Sequence, residues 1–197
     1  VRVILPYSVK RKVKAMKYIL AHSLLAADFT KLGEQIKETE EAGAEYLHID
    51  VMDGLFVPSI SFGMPLIESI RPASKQFFDV HLMIVEPERY IDEFVRCGAD
   101  SITFHLEATK DPQAVIDKIH ACGVQAGISI KPGTPLEEVY PYVDQVEMVL
   151  IMSVEPGFGG QAFIPESYNR IRQLRNYIEE NGLVTAIEVD GGVGKKN

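Results

Sequence analysis

The sequence predicts an α/β fold, a (β/α)8 TIM barrel whose eighth β/α unit is missing. Three observations carry that prediction. Short apolar runs alternate with longer amphipathic stretches, few hairpin signals separate them, and polar side chains end most of the apolar runs. Strand-then-helix alternation without hairpins calls for a parallel sheet covered by helices. An open doubly wound sheet and a closed barrel both satisfy it. Polar ends at His48/Asp50, His81, His105/Glu107, Lys131, Ser153 and Asp190 favour the barrel, whose chemistry occupies the carboxyl ends of many strands. An open sheet gathers its chemistry at one switch point.

Taken in order, the first strand is expected over Tyr18 to Leu25. Asp28 is placed to cap the helix that follows, which buries Leu32 and Ile36 and stops at Gly43. Further strands are expected over Tyr46 to Met52, Phe77 to Met83 and Ser101 to Leu106. Asp111-Pro112 then opens a helix with Val115, Ile116 and Ile119 on one face and Gly123 after it. Strands over Val124 to Ile130 and Met148 to Met152 come next. Pro165 opens the last helix, carrying Tyr168, Ile171, Leu174 and Ile178 before Gly182, and Ala186 to Asp190 makes the seventh strand. No interior segment is left to supply an eighth, so 17–197 is expected to form an incomplete barrel. Its first and last strands then have open edges, which invite wrong pairing.

Composition sets limits on partners. With 46% hydrophobic and 24% charged residues, the chain fits one globular domain, and no run of eighteen apolar residues suggests a membrane span. Residues 1–16 hold five bases (Arg2, Lys10, Arg11, Lys12, Lys14) and no acid. The remainder has 15 bases against 28 acids, a balance of −13, which argues against nucleic acid as a partner. The basic leader has the reverse polarity of a secretory signal and is expected to lie outside the fold. Cys97 and Cys122 lack metal-site spacing and read as free cytosolic thiols, in keeping with a cytoplasmic protein.

The run Tyr46-Leu47-His48-Ile49-Asp50-Val51-Met52 is the most informative stretch for chemistry. Alternate side chains of a strand share a face, so His48 and Asp50 project together. His81 and Asp190 end two later strands in the same manner. Two imidazoles and two carboxylates suit zinc, iron(II), manganese or cobalt, and ligand type does not choose among them. Pro156-Gly157-Phe158-Gly159-Gly160-Gln161 and Gly191-Gly192 follow neighbouring strands, where backbone N–H groups can turn toward a phosphate. The helix opened by Pro165 is expected to add its positive end. Met52, Met83 and Met152 end strands too, and either fill the core or give a polarizable, non-basic lining beneath a planar anionic intermediate.

These residues resemble the ribulose-phosphate 3-epimerase family. The resemblance begins near Lys17 and is carried by Ser23-Leu24-Leu25-Ala26-Ala27-Asp28-Phe29, by His48 through Gly54 with Phe56-Val57-Pro58, and by Asp79-Val80-His81-Leu82-Met83. It continues through Ile130-Lys131-Pro132-Gly133-Thr134-Pro135, Met152 through Gln161, and Glu188-Val189-Asp190-Gly191-Gly192. It implies that His48, Asp50, His81 and Asp190 ligate one divalent metal ion and that Asp50 and Asp190 are the acid/base pair. Ser23 and His81 would be substrate contacts, while Gly157, Phe158, Gly159, Gly160, Gly191 and Gly192 belong to the phosphate grip. The family completes that grip with a Gly-Ser pair after its eighth strand, which this sequence lacks. His22 stands where the family usually has Pro, and Ser59 where it has Asn. A sugar phosphate substrate and a homo-oligomer are implied, with no nucleic-acid or membrane partner.

The implied reaction is C3 epimerisation of a 2-ketose phosphate, D-ribulose 5-phosphate to D-xylulose 5-phosphate. One carboxyl group removes a proton beside the carbonyl and a second returns one to the opposite face, so their protonation states must differ. An epimerase of a six-carbon ketose phosphate is the nearest alternative, yet Gly157 to Gly160 and Lys131 to Pro135 match the five-carbon pattern. A decarboxylase of the orotidine-phosphate type needs a lysine where Met52 stands. The remaining alternative is an inactive fragment.

Overall fold

The structure, a computed structural model, describes residues 2–5, 18–195 and 197. Among these, eight strands close into one ring: β1 (Arg2–Leu5), β2 (Ile19–Ser23), β3 (Tyr46–Met52), β4 (Phe77–Met83), β5 (Ser101–His105), β6 (Gln125–Ile130), β7 (Met148–Met152) and β8 (Ala186–Asp190). Strands β2 to β8 are mutually parallel, each paired with the next. Helices α1 (Leu32–Glu41), α2 (Met64–Ile70), α3 (Ile91–Arg96), α4 (Pro112–Ala121) and α5 (Ser167–Glu180) lie on the connections. Between β6 and β7 only 3-10 turns form, Leu136–Glu138 and Tyr140–Gln145. Pro135 and Pro141, six positions apart, leave too little sequence there for a regular α-helix.

The leader departs from expectation. Arg2–Leu5 is antiparallel to both neighbours, with Val3 opposite Leu20 on one side and Val189 on the other. The reason is physical: β2 and β8 would otherwise expose rows of unpaired backbone groups, and Val3, Ile4 and Leu5 suit a strand. The five bases of 1–16 mask that short apolar stretch; residues 1 and 6–16 lie outside the described residues. Because β1 is antiparallel to both neighbours, it does not supply the eighth parallel strand.

Period-2 alternation divides every strand between two environments. Leu47, Ile49, Val51, Phe78, Val80, Leu82, Ile102, Phe104, Ile128, Ile130, Val149 and Ile151 join Ile67, Phe94, Ile116, Ile119, Leu174 and Ile178 from the helices in one continuous core. Their alternates line the barrel interior. Branched apolar residues dominate most barrels of this kind. Here His48, Asp50, Asp79, His81, Ser101, Thr103, His105, Ser129 and Glu188 are all buried. Buried polar groups call for partners. Several of these bond to one another, while the Thr103 and Ser129 hydroxyls have no hydrogen-bond partner among the described residues.

Most capping expectations hold: Asp111 accepts from the Ala114 amide, and Gly43, Gly123 and Gly182 adopt positive φ after their helices. Asp28 caps a 3-10 turn that leads into α1. The first strand ends early, because the Ser23 hydroxyl accepts from Leu25 N–H and starts a 3-10 turn. Tyr168, expected on the buried face of the last helix, is 47% exposed and rests against Phe163. Helix α5 starts only at Ser167, so Tyr168 sits in its first turn beyond the sheet.

Candidate active site

Strand register assembles the site. His48 pairs with Asp79, Asp50 with His81, and Met52 with Met83 across β3 and β4; Met152 pairs with Asp190 across β7 and β8. One ligand atom from each of His48, Asp50, His81 and Asp190 can be chosen so that all lie within 4.8 Å of one another. The Ser23 hydroxyl donates to Asp50 Oδ2 at 2.8 Å, and His81 Nδ1 lies 3.2 Å from Asp50 Oδ1 and 3.8 Å from Asp190 Oδ2. His48 Nε2, 3.3 Å from Asp50 Oδ1, is buried with no hydrogen-bond partner. A buried ring nitrogen left bare toward two carboxylates and a second imidazole suits a cation, and a mixed nitrogen and oxygen set suits a divalent transition metal.

The opposite edge of His48 is fully engaged. Its Nδ1 lies 2.6 Å from Asp79 Oδ2 and 3.1 Å from Glu188 Oε1, and Ser101 donates to Asp79 Oδ1 at 2.8 Å. A carboxylate behind an imidazole fixes its tautomer and turns the other nitrogen forward. Sequence reading missed Asp79 and Glu188. The signal was available: each lies two positions before a site residue, His81 and Asp190, hence on the same strand face.

Above the cluster opens a cavity of about 400 Å³. Ser23, Asp50, Met52, Met83, Met152, Gly157 to Gly160, Asp190, Gly191 and Gly192 all line it. Thus nearly every residue singled out from sequence converges there. His48 and His81 lie beneath, fully buried. The first turn of α5 does not line the cavity, so the phosphate-type loops act without the expected helix end. Glu155 and Gln161 do line it; the Gln161 amide staples the Gly-rich loop by donating to the carbonyls of Glu155 and Phe158. Phe158 itself is 58% exposed, at the cavity mouth.

Loop residues hold the strand ends in place. Asp53 is the turn former that its Asp-Gly context suggests: it accepts from Leu55, Phe56 and Val85 amides, which joins the loops after β3 and β4. Burial pushes its carboxyl upward, but those amides outweigh it and leave the pKa lowered. Ser61 donates to the Asp50 carbonyl and accepts from Met52 N–H. Ser153 N–H and Oγ both donate to the Asp190 carbonyl, at 2.7 and 2.8 Å.

A second polar chain leads away from His81. His81 Nε2 lies 2.9 Å from His105 Nε2, and His105 Nδ1 lies 3.4 Å from Glu107 Oε2. Burial pushes His105 down to about 4, Glu107 opposing and His81 assisting. Glu107 is raised by desolvation but more strongly lowered by His105, the Thr134 hydroxyl and the Lys131 amide, to about 2.

Residues 19–197 match the ribulose-phosphate 3 epimerase family. The chain belongs to that family. A ribulose-phosphate 3-epimerase from Synechocystis sp. is 48% identical over 181 residues, covering 91% of this chain and 79% of that protein. One from Candida glabrata is 42% identical over 197 aligned residues, covering 92% and 78%. Membership in this epimerase family makes the chain a carbohydrate isomerase. The tryptophan synthase α-subunit of Pyrococcus furiosus superposes with a TM-score of 0.58 at 14% identity, over 81% of this chain and 73% of that one. That likeness extends to the barrel fold alone. Cys97 and Cys122 are free thiols, and among the described residues no helix is long and apolar enough to cross a membrane.

Proposed function

We propose that this epimerase-family chain inverts C3 of D-ribulose 5-phosphate to give D-xylulose 5-phosphate, a step of pentose phosphate metabolism. The observation that supports this reading best is the cluster of His48, Asp50, His81 and Asp190 at the floor of a cavity walled by two glycine loops. Inversion requires a proton to leave carbon on one face and another to arrive on the opposite face. Asp50 on β3 and Asp190 on β8 are the two proton carriers, one acting as carboxylate and the other as carboxylic acid. Ser23 steadies Asp50 and meets the substrate. The backbone N–H groups of Gly157, Phe158, Gly159, Gly160, Gly191 and Gly192 hold the phosphate. Met52, Met83 and Met152 cover the reacting carbon with apolar, non-basic surface, which excludes water without competing for protons.

His48, Asp50, His81 and Asp190 are the residues that hold one divalent ion, of zinc, iron(II), manganese or cobalt. Bound there, the ion supplies Lewis-acid stabilisation of charge on the substrate's oxygens. Nothing in the cluster's donor set selects one of those metals. The reading takes the free thiols to indicate a cytoplasmic enzyme, acting as a homo-oligomer on a small sugar phosphate with no nucleic-acid or membrane partner.

The test is an assay of xylulose 5-phosphate formation. Asp50→Asn and Asp190→Asn are each expected to lower kcat by roughly 10²–10⁴-fold, the range of one general acid or base. Their circular dichroism should match the parent, since Asn preserves side-chain shape. Near-normal turnover in either variant would overturn the two-carboxyl scheme. Loss of activity on chelation, restored by cobalt(II), would support the ion; unchanged activity would exclude it.

A further inference from the structure

His48 and His81 meet the cluster through different nitrogens, and this difference has to be enforced. His48 turns Nε2 to the cluster because Asp79 and Glu188 take its Nδ1 edge. His81 turns Nδ1 to the cluster, and behind its Nε2 stands another imidazole, His105, at 2.9 Å. An imidazole, unlike a carboxylate, can donate or accept. A hydrogen bond between two facing ring nitrogens holds one proton, and its owner decides everything in front of it. If His105 Nε2 owns it, His81 carries its own proton on Nδ1 and blocks ligation. If His81 Nε2 owns it, the Nδ1 lone pair faces Asp50 and Asp190.

We propose that Glu107, acting through His105, is a positioning residue that sets the tautomer of His81 and so presents its Nδ1 lone pair to the metal. This rests on the metal reading above. Glu107 Oε1 accepts from the Lys131 amide at 2.8 Å and from the Thr134 hydroxyl, which leaves Oε2 to face His105 Nδ1 at 3.4 Å. His105 Nδ1 is buried and makes no hydrogen bond of normal geometry with any described residue, and a carboxylate oxygen only accepts, so this contact favours the His105 proton on Nδ1. His105 Nε2 is then bare and the shared proton belongs to His81 Nε2. Asp50 Oδ1, 3.2 Å from His81 Nδ1, draws a proton the opposite way, so the Nδ1 lone pair is free as a ligand where a cation in the cluster takes that proton's place. The loop holding Glu107 is itself fastened from α5, where Arg170 donates to the carbonyls of Lys131, Pro132 and Thr134. Phe56 packs on the His105 ring, with centroids 4.8 Å apart.

The same geometry designs the test. In Glu107→Gln the amide oxygen must take the Oε1 position to accept from Lys131 and Thr134. Its NH2 then faces His105 Nδ1 and donates to it, and each proton along the chain moves to the other nitrogen. The variant keeps shape and burial but puts a proton on His81 Nδ1. Two readouts apply, both on the full chain. Long-range ¹H–¹⁵N spectra of the histidine rings with zinc(II) bound should show His105 protonated on Nδ1 in the parent and on Nε2 in the variant. Affinity for cobalt(II), followed by its absorption and by chelator competition, should fall 10- to 100-fold in the variant, as for other residues supporting a metal-bound histidine.

The proposal is overturned if His105 in the zinc-loaded parent carries its proton on Nε2, a result that needs no variant to fold. It is equally overturned if Glu107→Gln keeps the parent's tautomer or its cobalt affinity. A parent chain that binds neither zinc nor cobalt refutes the metal reading; Nδ1 protonation of His105 in its metal-free spectrum would still support the polar chain from Glu107 to His81.

Discussion

His105 joins two parts of the molecule, and its burial makes acid stability depend on it. The fully buried ring takes up a proton only near pH 4, whereas in the unfolded chain it does so near 6.5. A base whose folded pKa is depressed contributes its full stability above the unfolded value, and that stability is lost as pH falls toward the folded value. The loss from pH 6.5 down to about 4 amounts to about 3 kcal/mol. Urea midpoints measured across this interval should therefore fall steeply in the parent. In His105→Leu the slope should be shallower by roughly that total; identical slopes would show that His105 is not the buried neutral group described. At the same scale, ligand-type residues were legible from sequence because alternation forces His48 and Asp50 onto one face. What stands behind them was not. Nothing in the local sequence marks Glu107 as pointing at His105 instead of solvent, since that depends on the loop of Lys131 and Thr134 arriving from β6.

At the scale of elements, strand ends that carry side chains into the site match the sequence reading residue for residue in β3, β4, β7 and β8. Those strands have apolar outward faces and end at Met52, Met83, Met152 and Asp190, all buried, so their limits are set by burial. The end of β2 was less legible because Ser23 folds back on its own backbone. The start of α5, expected to aim at the phosphate, is not among the residues that line the cavity. The phosphate wall therefore depends on the loops themselves. Gly191 has φ +114°, and a Cβ there would lie 2.3 Å from Val154 Cγ2. Gly191→Ala combines backbone strain of about 1–3 kcal/mol with that overlap. It should lower Tm by at least about 2–4 °C and raise KM for the sugar phosphate. Adding Val154→Ala removes the Cγ2 and Cγ1 overlaps at 2.3 and 2.7 Å but leaves Val154 Cβ at 2.9 Å and the backbone strain, so the double variant should recover at most part of the loss. A Tm equal to the parent's in Gly191→Ala would show that this loop does not hold the conformation described.

For the whole molecule, the question is how seven parallel strands close a ring built for eight. Sequence reasoning judged residues 1–16 by charge and left β2 and β8 with bare edges; in the structure Arg2–Leu5 lies between them. Charge says where a segment is solvated, but four consecutive non-acidic residues are enough for a strand when two unsatisfied edges face each other. The consequence reaches the site, because β1 pairs with Glu188 and Val189, immediately before Asp190. A barrel opened at this seam would free the strand that carries Asp190, a proposed proton carrier, and Glu188 behind His48. Ile4 is the residue to probe, being 2% exposed. Ile4→Ala should destabilise by about 2–5 kcal/mol, as large-to-small changes in a core do. In a chain of this size that is a fall in Tm of the order of 5–15 °C. Ile4→Asp should do more: backbone amides of Ile19–Ala21 and Ile187–Val189 should exchange faster, while those of β4 to β6, on the far side of the ring, keep their protection. Unchanged melting and exchange in Ile4→Asp would remove β1 from the barrel and leave the seam open.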